Sequence, residues 1–465
     1  MVFNTKLVLF FIKSFLLIIL FSYKIICLDE EEQRKIFVLE VFSNGITSSK
    51  TNKNNQDVLG ETWLNSEELT NMGIRQQYLL GINDKALYKN FIDDTFNLKD
   101  ILIKSLNNSY NIQSAYSHLH GIYNNRSGQK LQNEFDKNYF LNYNNLNGDE
   151  RKKIDEKITE SNNSAVLSGV NIVPVHIFDF DINNKEKCPN YFQLKKNNIE
   201  KNTEKFKNII YKKFNENYEK IFLEAFNKNE SFFQNPDNLM LYFNTFIIDY
   251  ISNRNITSLK NFEYFNFQNF SEFAKEMIQK YIINIEFDYD YNENENLIST
   301  LKSSSILKSL LNYADLRIDY DRNSKTNKKD SKRPKFVLFS VGNEELNALQ
   351  IILNQHLGIE LKNMTNFSSS INFEVIKENN EYEINIFYNG EFMENLNYED
   401  FKNNFTNLWD EDKIKNFCNE KDVDKYLKEN KYNMNIIFIF WSISAIILVF
   451  IIFSNRFYVN YLNKN

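Results

Sequence analysis

The spacing of apolar residues predicts a chain in which strands and helices alternate. Residues 36–42 (Ile-Phe-Val-Leu-Glu-Val-Phe) are mostly β-branched or aromatic, which is typical of a buried strand, and Gly45 then allows a sharp turn. Residues 371–375 and 382–388 alternate between apolar and polar side chains, which predicts a hairpin with a polar connection at 377–381. Three more strands are expected, at 100–103, 170–180 and 335–340.

Helical spacing of apolar residues is found between these strands. It follows Thr70, a residue type that caps helix N-termini, and recurs at 110–123 and 346–352. From 191 to 285 the chain is rich in Lys, Asn and Glu with apolar residues at helical spacing and no fixed repeat, which favours a helical subdomain over a repeat array. A basic stretch at 323–334 is expected to be a surface loop. Together these elements indicate a layered α/β domain with a helical cap.

The N-terminus has the pattern of a secretory signal peptide. An apolar stretch within residues 1–28 precedes an acidic run at 29–32, and a cleaved signal peptide over 1–28 is the interpretation we adopt. Lys13 and Lys24 interrupt the apolar stretch, and an uncleaved anchor is the alternative.

The C-terminus contains an unbroken apolar run at 436–453, which as a helix can span about 27 Å of hydrocarbon. We therefore expect a transmembrane helix over 434–453 and a cytosolic tail over 454–465; a buried core helix is the alternative. With a signal peptide, residues 29–430 form an exported ectodomain whose helical cap lies at about 190–290. This organisation predicts a single-pass type I membrane protein of the secretory pathway, at the cell surface or in a lysosome-like compartment.

Composition narrows the functional classes. The chain has 465 residues, 42% of them hydrophobic, which suffices for one large core or two smaller ones. Its 55 basic and 61 acidic residues are spread along the chain and give a net charge of −6, so no electrostatic footprint for nucleic acid is present. The abundance of Asn and Lys reflects a bias in base composition rather than a function.

Cysteines and glycosylation sequences agree with export. Cys27 lies in the predicted signal peptide, which leaves Cys188 and Cys418 as an even pair in an oxidising compartment. Nine Asn-x-Ser/Thr sequences are compatible with N-glycosylation, although many arise by chance in a chain so rich in Asn. They begin at Asn107, Asn125, Asn162, Asn229, Asn255, Asn269, Asn363, Asn366 and Asn404.

Five segments resemble, in the same order, motifs of the histidine acid phosphatases. Residues 43–49 stand where that family has Arg-His-Gly-x-Arg-x-Pro, and they retain its glycine, Gly45. The other segments are 68–76 (resembling Leu-Thr-x-x-Gly-x-x-Gln), 103–123 (Arg-Ser-Thr-Asp and the next helix), 173–176 with 188–189 (Pro-Val-His and Cys-Pro) and 339–344 (Tyr-Ser-x-His-Asp). The match covers roughly residues 36–418. The resemblance implies the histidine phosphatase fold, a central mixed β-sheet flanked by helices with a helical cap.

The catalytic chemistry of that family is largely missing at the matching positions. Asn44 replaces the histidine nucleophile, and its amide nitrogen, whose lone pair is delocalised, cannot form a phosphohistidine. Ser43 and Thr47 replace two phosphate-binding arginines. Lys104 keeps the charge of a third arginine without its bidentate fork, and Asn107 replaces an aspartate.

The second half of the matching site is altered as well. Gly342 and Asn343 replace the phosphate-binding histidine and the acid that protonates the leaving group. Glu344 could supply that acid through a one-residue shift; the alternative is a solvated carboxylate at a helix N-terminus. The chain's histidines are interpreted as surface or core residues rather than nucleophiles: His118, His120, His176 and His356.

Motifs for other chemistries are not found in the sequence. There is no phosphate-cradling glycine loop, no zinc-type cysteine spacing, no His-Glu-x-x-His and no nucleophile-elbow serine, so no cofactor or metal is expected. The resemblance does imply a disulfide between Cys188 and Cys418, which would stabilise the fold by roughly 4–5 kcal/mol; free cysteines are the alternative. It also implies a homodimer.

Three functional hypotheses follow. The first is an inactive, membrane-anchored ectodomain of histidine acid phosphatase type that binds a small-molecule or protein ligand, such as an anion or a peptide in the vacated cleft, or serves as a surface interaction protein. The second is a working acid phosphatase that hydrolyses phosphomonoesters with unusual residues. The third is a structural or adhesive surface module in which the cleft plays no part.

Overall fold

The computed structural model describes the chain in a series of ranges. These are residues 35–52, 57–59, 62–63, 66–123, 128, 130, 143–161, 164–165, 171–178, 182–183, 185–213, 223–224, 236–252, 266–283, 287, 297–323, 334–360, 367–379, 381–406, 408 and 411–420. The predicted signal peptide (1–28), transmembrane helix (434–453) and tail (454–465) lie outside them and stay predictions. No helix within the ranges is long and apolar enough to cross a membrane.

Seven strands in these ranges form one mixed sheet. They are β1 (Lys35–Ser43), β2 (Ile101–Ser105), β3 (His176–Ile177), β4 (Phe336–Val341), β5 (Ser370–Glu378), β6 (Glu381–Tyr388) and β7 (Glu391–Asn397). Their order across the sheet is β3–β2–β4–β1–β5–β6–β7. The first four pair in parallel, and β5, β6 and β7 extend the sheet by antiparallel pairing.

Ten helices in the same ranges surround this sheet. They are α1 (Asn71–Leu87), α2 (Ser109–Ile122), α3 (Gly148–Ser161), α4 (Pro189–Lys213), α5 (Pro236–Ile251), α6 (Phe267–Tyr281), α7 (Leu297–Asn323), α8 (Asn343–Leu357), α9 (Tyr398–Asn404) and α10 (Glu411–Asn419). The expected mixed sheet with flanking helices is thereby confirmed.

The predicted boundaries agree with the structure where the sequence pattern reflects burial. Strand β1 is buried from Phe37 to Ser43 because β4 and β5 pair with its two edges and helices cover its faces. Strand β6 alternates between buried and more exposed residues, as the hairpin pattern predicts. The Thr70 side chain accepts a hydrogen bond from the Gly73 amide and caps α1 as expected.

Several elements differ from the predictions, and three of them have a clear physical reason. A strand was expected at 170–180, but within the described part of that stretch only His176–Ile177 pairs with the sheet. This short strand, β3, lies at the edge of the sheet and has β2 as its neighbour. Strand β7 was not predicted because its sequence, Glu-Phe-Met-Glu-Asn-Leu-Asn, is polar and mostly exposed. Helix α7 was not predicted because its buried residues are not confined to one face.

The two faces of the sheet pack against different helices. On one face, Phe37 and Leu39 belong to a core that includes residues of α7 and α8. On the other face, Val38 and Phe42 belong to a core that includes residues of α1 and α2. Alternation along β1 therefore places adjacent side chains in separate cores.

Helices α1 and α2 approach each other closely through glycines. A Cβ on Gly81 would lie 2.0 Å from the His118 carbonyl oxygen, and one on Gly121 would lie 2.2 Å from the Tyr78 carbonyl oxygen. Only glycine avoids these clashes, so Gly81 and Gly121 permit the close packing of α1 against α2.

Most of the described residues between β3 and α7 are helical. Helices α4, α5 and α6 contribute to a separate hydrophobic cluster that is rich in aromatic rings, including Phe206, Phe243 and Phe270. That this segment forms a cap subdomain at 190–290 stays a prediction. A disulfide joins Cys188, just before α4, to Cys418 in α10, with 4.4 Å between their Cα atoms. The implied pairing is confirmed.

Candidate functional site

The carboxyl ends of three parallel strands meet at one side of the sheet, here called the carboxyl edge. Strand β4 lies between β1 and β2, with Ser43 opposite Val341 and Ser105 opposite Ser340. The structure therefore brings the ends of these strands, and the predicted site residues that follow them, to the same edge. Open α/β sheets bind their ligands at this edge.

The turn after β1 holds Asn44 where the family motif has its nucleophile. Asn44 is 6% exposed, and its side-chain Nδ2 donates a 2.9 Å hydrogen bond to the Gly45 carbonyl. A Cβ on Gly45 would lie 2.4 Å from the Gly73 carbonyl oxygen, so the turn packs directly on the start of α1. The turn thus keeps the backbone of the motif without its imidazole.

The backbone amides of this turn are already bonded within the protein. The Gly45 amide donates to Ser114 Oγ at 3.2 Å, and the Ile46 amide donates to Gln76 Oε1 at 2.9 Å. Amides that point at a ligand are the usual means by which such turns hold an anion. Here side chains of α1 and α2 accept from them instead.

Ser43 and Thr47, which stand where the family motif has arginines, make contacts that stabilise the fold. Ser43 Oγ accepts a 3.0 Å hydrogen bond from the Ser369 amide, which ties β1 to the start of β5. Thr47 forms an isolated antiparallel bridge with Leu69, just before α1. Neither residue offers a positive charge to a phosphate.

Lys104 is the cation that remains at the carboxyl edge from the resembling motifs. It is half-buried at the end of β2, and its Nζ lies 6.0 Å from the centroid of the Phe178 ring. None of the carboxylates in the described ranges forms an ion pair with it. Asn107, two residues beyond β2, is exposed.

A group of paired charges, here called the edge cluster, lies beside Lys104. It consists of Lys302, Glu344 and Glu345. Lys302 Nζ lies 2.8 Å from Glu344 Oε2 and 2.7 Å from Glu345 Oε1, and it also donates to Asn183 Oδ1 at 2.8 Å. The lysine side chain is 1% exposed. Helix α7 thus supplies the cation and the first turn of α8 supplies both anions.

Both α8 carboxylates have structural tasks. The Gly342 amide donates to Glu345 Oε2 at 3.0 Å, so Glu345 caps the helix that Asn343 begins. Lys195 Nζ lies 3.2 Å from Glu344 Oε1, so this carboxylate, which is 40% exposed, binds two ammonium groups. The free N-terminus of α8, another anion-binding element, is thereby occupied by the protein's own side chain.

The pKa values of the edge cluster follow from this pairing. Burial alone would raise the pKa of Glu344, but the ammonium groups of Lys302 and Lys195 outweigh it and lower that pKa well below its usual value. Burial would lower the pKa of Lys302, but Glu344 and Glu345 raise it well above its ordinary range. Each group therefore favours the charged form of the other.

A narrow cavity lies between the end of β2 and helices α7 and α8. Its volume is about 50 Å³ among the described residues, and Lys104, Phe178, Lys302 and Glu345 contribute to its lining. A single water needs roughly 10–15 Å³ on this measure, so the cavity admits a few waters or one small anion. It is far too small to enclose a polyphosphorylated substrate.

None of the four histidines lies in the turn that holds Asn44. His118 is fully buried beside Glu40 and Asp84, and His120 is exposed on the same helix. His176 is on β3, three strands or roughly 14 Å from β1 at about 4.8 Å per strand. His356 lies near the end of α8 with its ring 5.3 Å from that of Phe405. The structure therefore places no imidazole in the turn where the family motif has its nucleophile.

Sequence reasoning missed Lys302, Glu345 and Asn183 at this edge. The signal for Lys302 was present, because it is the only charged residue in an otherwise apolar and hydroxyl-bearing stretch at 297–307. Its partners on α8 and in the loop before α4 are distant in sequence, and spacing alone does not reveal them.

Comparison with known proteins identifies the fold. No model of a known protein family and no curated protein sequence matches the chain. Among solved structures, the phytase of Klebsiella sp. ASR1 is similar, with a TM-score of 0.50 and 10% identity over 78% of this chain and 89% of the phytase. Hafnia alvei phytase is also similar, with a TM-score of 0.50 and 8% identity over 81% of this chain and 97% of the enzyme.

The Hafnia enzyme solved with myo-inositol hexakis sulphate matches equally well, with a TM-score of 0.50 at 7% identity. At such low identity the likeness establishes the fold alone. The chain has the fold of these phytases, which is that of the histidine acid phosphatases, and the resemblance in its sequence motifs is confirmed at this level.

Proposed function

We propose that this protein is a pseudophosphatase: a histidine-acid-phosphatase-like ectodomain that cannot form a phosphohistidine and acts by binding. The observation that carries this proposal is the position and bonding of the Asn44 side chain. It occupies the nucleophile position, lacks a nucleophilic nitrogen, and is hydrogen-bonded to its own turn. Loss of a catalytic nucleophile costs several orders of magnitude in rate.

The leaving-group acid gives independent support. Glu344 is the carboxylate nearest to the expected acid in sequence, but Lys302 and Lys195 hold its pKa low. A general acid must be protonated at the working pH, whereas Glu344 is ionised throughout the acidic range in which phosphatases of this fold would work. A shift of one residue therefore does not restore the acid.

The test is an activity assay on the full chain. The protein is produced in a eukaryotic secretory host, purified in detergent and assayed with p-nitrophenyl phosphate and phytate between pH 4 and 7, beside Klebsiella phytase as a positive control. We expect no turnover above that of a heat-denatured sample. An N44H variant is also expected to be inactive, because the arginines and the acid are still missing.

The result that would overturn the proposal is robust turnover by the unmodified protein that falls on changing Lys104→Ala or Glu344→Gln. Turnover that persists unchanged in both variants indicates a contaminating phosphatase. The protein is then purified further, and the assay is repeated until this background is gone. The His120→Asn variant, altered on an exposed histidine, serves as the matched control.

A working acid phosphatase is the second candidate function. Two observations favour it: the retained fold of active phytases and the cation Lys104 at the carboxyl edge. The same assay decides between the two. A structural or adhesive role without a ligand at this edge is the third reading, and it predicts that Lys104→Ala changes neither ligand binding nor cell-surface interactions.

Export and anchoring belong to the proposal. The Cys188–Cys418 disulfide supports an oxidising compartment. Of the nine glycosylation sequences, Asn107, Asn269 and Asn404 lie in the described ranges, and all three are exposed. A chain truncated after residue 433 should be secreted into the medium, whereas the full chain should stay with the membrane fraction. Equal retention of both would contradict an anchor at 434–453.

A further inference from the structure

Three ionisable side chains meet in the core between the sheet and helices α1 and α2. Glu40 comes from the middle of β1, Asp84 from the last turn of α1 and His118 from α2. Their candidate donor atoms all lie within 4.8 Å of one another. Glu40 and His118 are 0% exposed and Asp84 is 1% exposed. We call these three residues the core cluster.

The polar atoms of the core cluster are not satisfied by the protein. His118 Nε2 lies 2.7 Å from Asp84 Oδ2 and 3.9 Å from Glu40 Oε2. These contacts lack hydrogen-bond geometry. Asp84 Oδ2 and His118 Nε2 form no well-aligned hydrogen bond in the described ranges, and neither oxygen of Glu40 does so, although the Asp84 and Ser370 side chains lie close to that carboxyl group. Such atoms are rare in folded proteins, because burying a charged or polar group without a partner is costly.

The cluster lies apart from the carboxyl edge and is rigidly held. Glu40 precedes Ser43 by three residues, which is roughly 10 Å along a strand. The Phe42 ring stacks on the His118 ring at a centroid distance of 4.4 Å. The close approach of Gly81 to the His118 carbonyl fixes the helix backbone behind the imidazole. The three donors are therefore preorganised, as metal ligands are.

We propose that the core cluster is a structural zinc site, with Glu40 bidentate and Asp84 Oδ2 and His118 Nε2 completing four donors. Two carboxylates balance the charge of one Zn²⁺, so the buried site becomes neutral. Imidazole and carboxylate are ordinary zinc ligands, and zinc accepts four donors. Calcium and magnesium require six or more oxygens, including waters, and three side chains in a closed core do not supply these.

The distances fit this assignment. Bonds of about 2.0–2.1 Å to a tetrahedral zinc place neighbouring donor atoms roughly 3.3 Å apart. The observed separations of 2.7 Å and 3.9 Å fall on either side of that value. Shifts of a few tenths of an ångström at each side chain bring the donors into position.

Zinc binds carboxylates and imidazole in their deprotonated forms, so binding should weaken as the pH falls. His118 Nδ1 has no acceptor among the described residues, and zinc histidines normally have one. The expected affinity for zinc is therefore lower than that of structural zinc sites whose histidines donate a hydrogen bond to an acceptor.

The test uses the full-length protein in detergent, stripped with a chelator and titrated with Zn²⁺ while bound metal is counted by mass spectrometry. We expect one zinc per chain, a raised melting temperature, and visible absorption of tetrahedral type when Co²⁺ replaces Zn²⁺. Variants H118N and E40Q should bind at least roughly 10-fold more weakly. H120N, which alters an exposed histidine on the same helix, should bind as the unmodified protein does.

Two results would overturn the proposal. One is less than one tightly bound zinc per unmodified chain with no change in melting temperature; this measurement needs no variant and stands even if H118N fails to fold. The other is zinc retained with full affinity by both H118N and E40Q, which would place the metal elsewhere.

Discussion

The core cluster and the edge cluster lie on opposite faces of the central sheet and are neutralised in different ways. The edge cluster contains its own cation, since Lys302 lies within 2.8 Å of both Glu344 and Glu345. In the core cluster, the described ion-pair partner of Glu40 and Asp84 is His118. With Lys195, which also pairs with Glu344, two ammonium groups face the two carboxylates at the edge, whereas the two carboxylates of the core face one histidine.

This difference bears on function. Positive charge at the carboxyl edge of a phosphatase fold should be available to bind a phosphate. Here Lys302 and Lys195 are instead paired with carboxylates of the protein. The core, which should be apolar, holds unsatisfied acid groups. The chain therefore retains the fold, but its charged groups are paired at the carboxyl edge and poorly partnered in the core.

The largest expected effect comes from breaking the edge cluster. Lys302→Met should destabilise the protein by about 3 kcal/mol, because it leaves the Glu345 carboxylate buried without a cation while Glu344 remains partly solvated. Urea unfolding measures this. Lys157→Met is the matched control, since the Lys157–Glu160 pair is 65% and 53% exposed and such pairs contribute little. Equal costs would show that the buried Lys302 pairs contribute no more to stability than an exposed pair does.

A second change tests the packing that holds the core cluster. Gly81→Ala should cost about 1–3 kcal/mol, because the new Cβ would lie 2.0 Å from the His118 carbonyl oxygen. Gly148→Ala, at the start of α3 with no atom within 4 Å of the added Cβ, should be neutral or slightly stabilising. Thermal unfolding of both variants is the measurement. If Gly81→Ala proved as mild as Gly148→Ala, the helices would not be in the close contact described.

The two clusters should also have opposite pH dependence in chelator-treated protein. The folded pKa of Glu40 is raised, so its protonated form is favoured on folding and stability falls as pH rises above its ordinary value of 4.5. The folded pKa of Glu344 is lowered, so its contribution is present above 4.5 and is lost as pH falls through the folded value. Each effect is limited to about 1.4 kcal/mol per pH unit.

Urea unfolding at a series of pH values separates these contributions. E40Q should remove the loss of stability on the alkaline side, and E344Q should remove part of the loss on the acidic side. If both carboxylates changed the free energy of unfolding with pH in the same direction, the two clusters would not differ as described.

Much of the fold could be predicted because burial leaves a regular pattern in the sequence. Strand β1 and the β5–β6 hairpin follow the expected periods, and the order of the resembling motifs implied the topology around them. Strand β7 and helix α7 could not be predicted, since one is polar at an edge and the other is buried on several sides. Local periodicity reports burial on one face and little else.

The site was predictable in its positions but not in its contacts. The convergence of Asn44, Lys104 and Gly342 at the carboxyl edge follows from the motif order. The pairing of Glu344 with Lys302 does not, because that lysine lies on the unpredicted helix. Nor does the core cluster, whose members are separated by more than thirty residues at each step and match no ligand spacing.

The disulfide has a mechanical consequence. Cys188 and Cys418 are 230 residues apart in sequence, and Cys418 is close to the end of the described chain. A pull on the segment that follows residue 420 passes through the sulfur bridge directly to the start of α4. The intervening chain, which would extend to roughly 750 Å at about 3.3 Å per residue, carries none of that load while the bridge is intact. Strands β4 to β7 are thereby protected from unravelling under tension, and reduction of a single bond removes that protection.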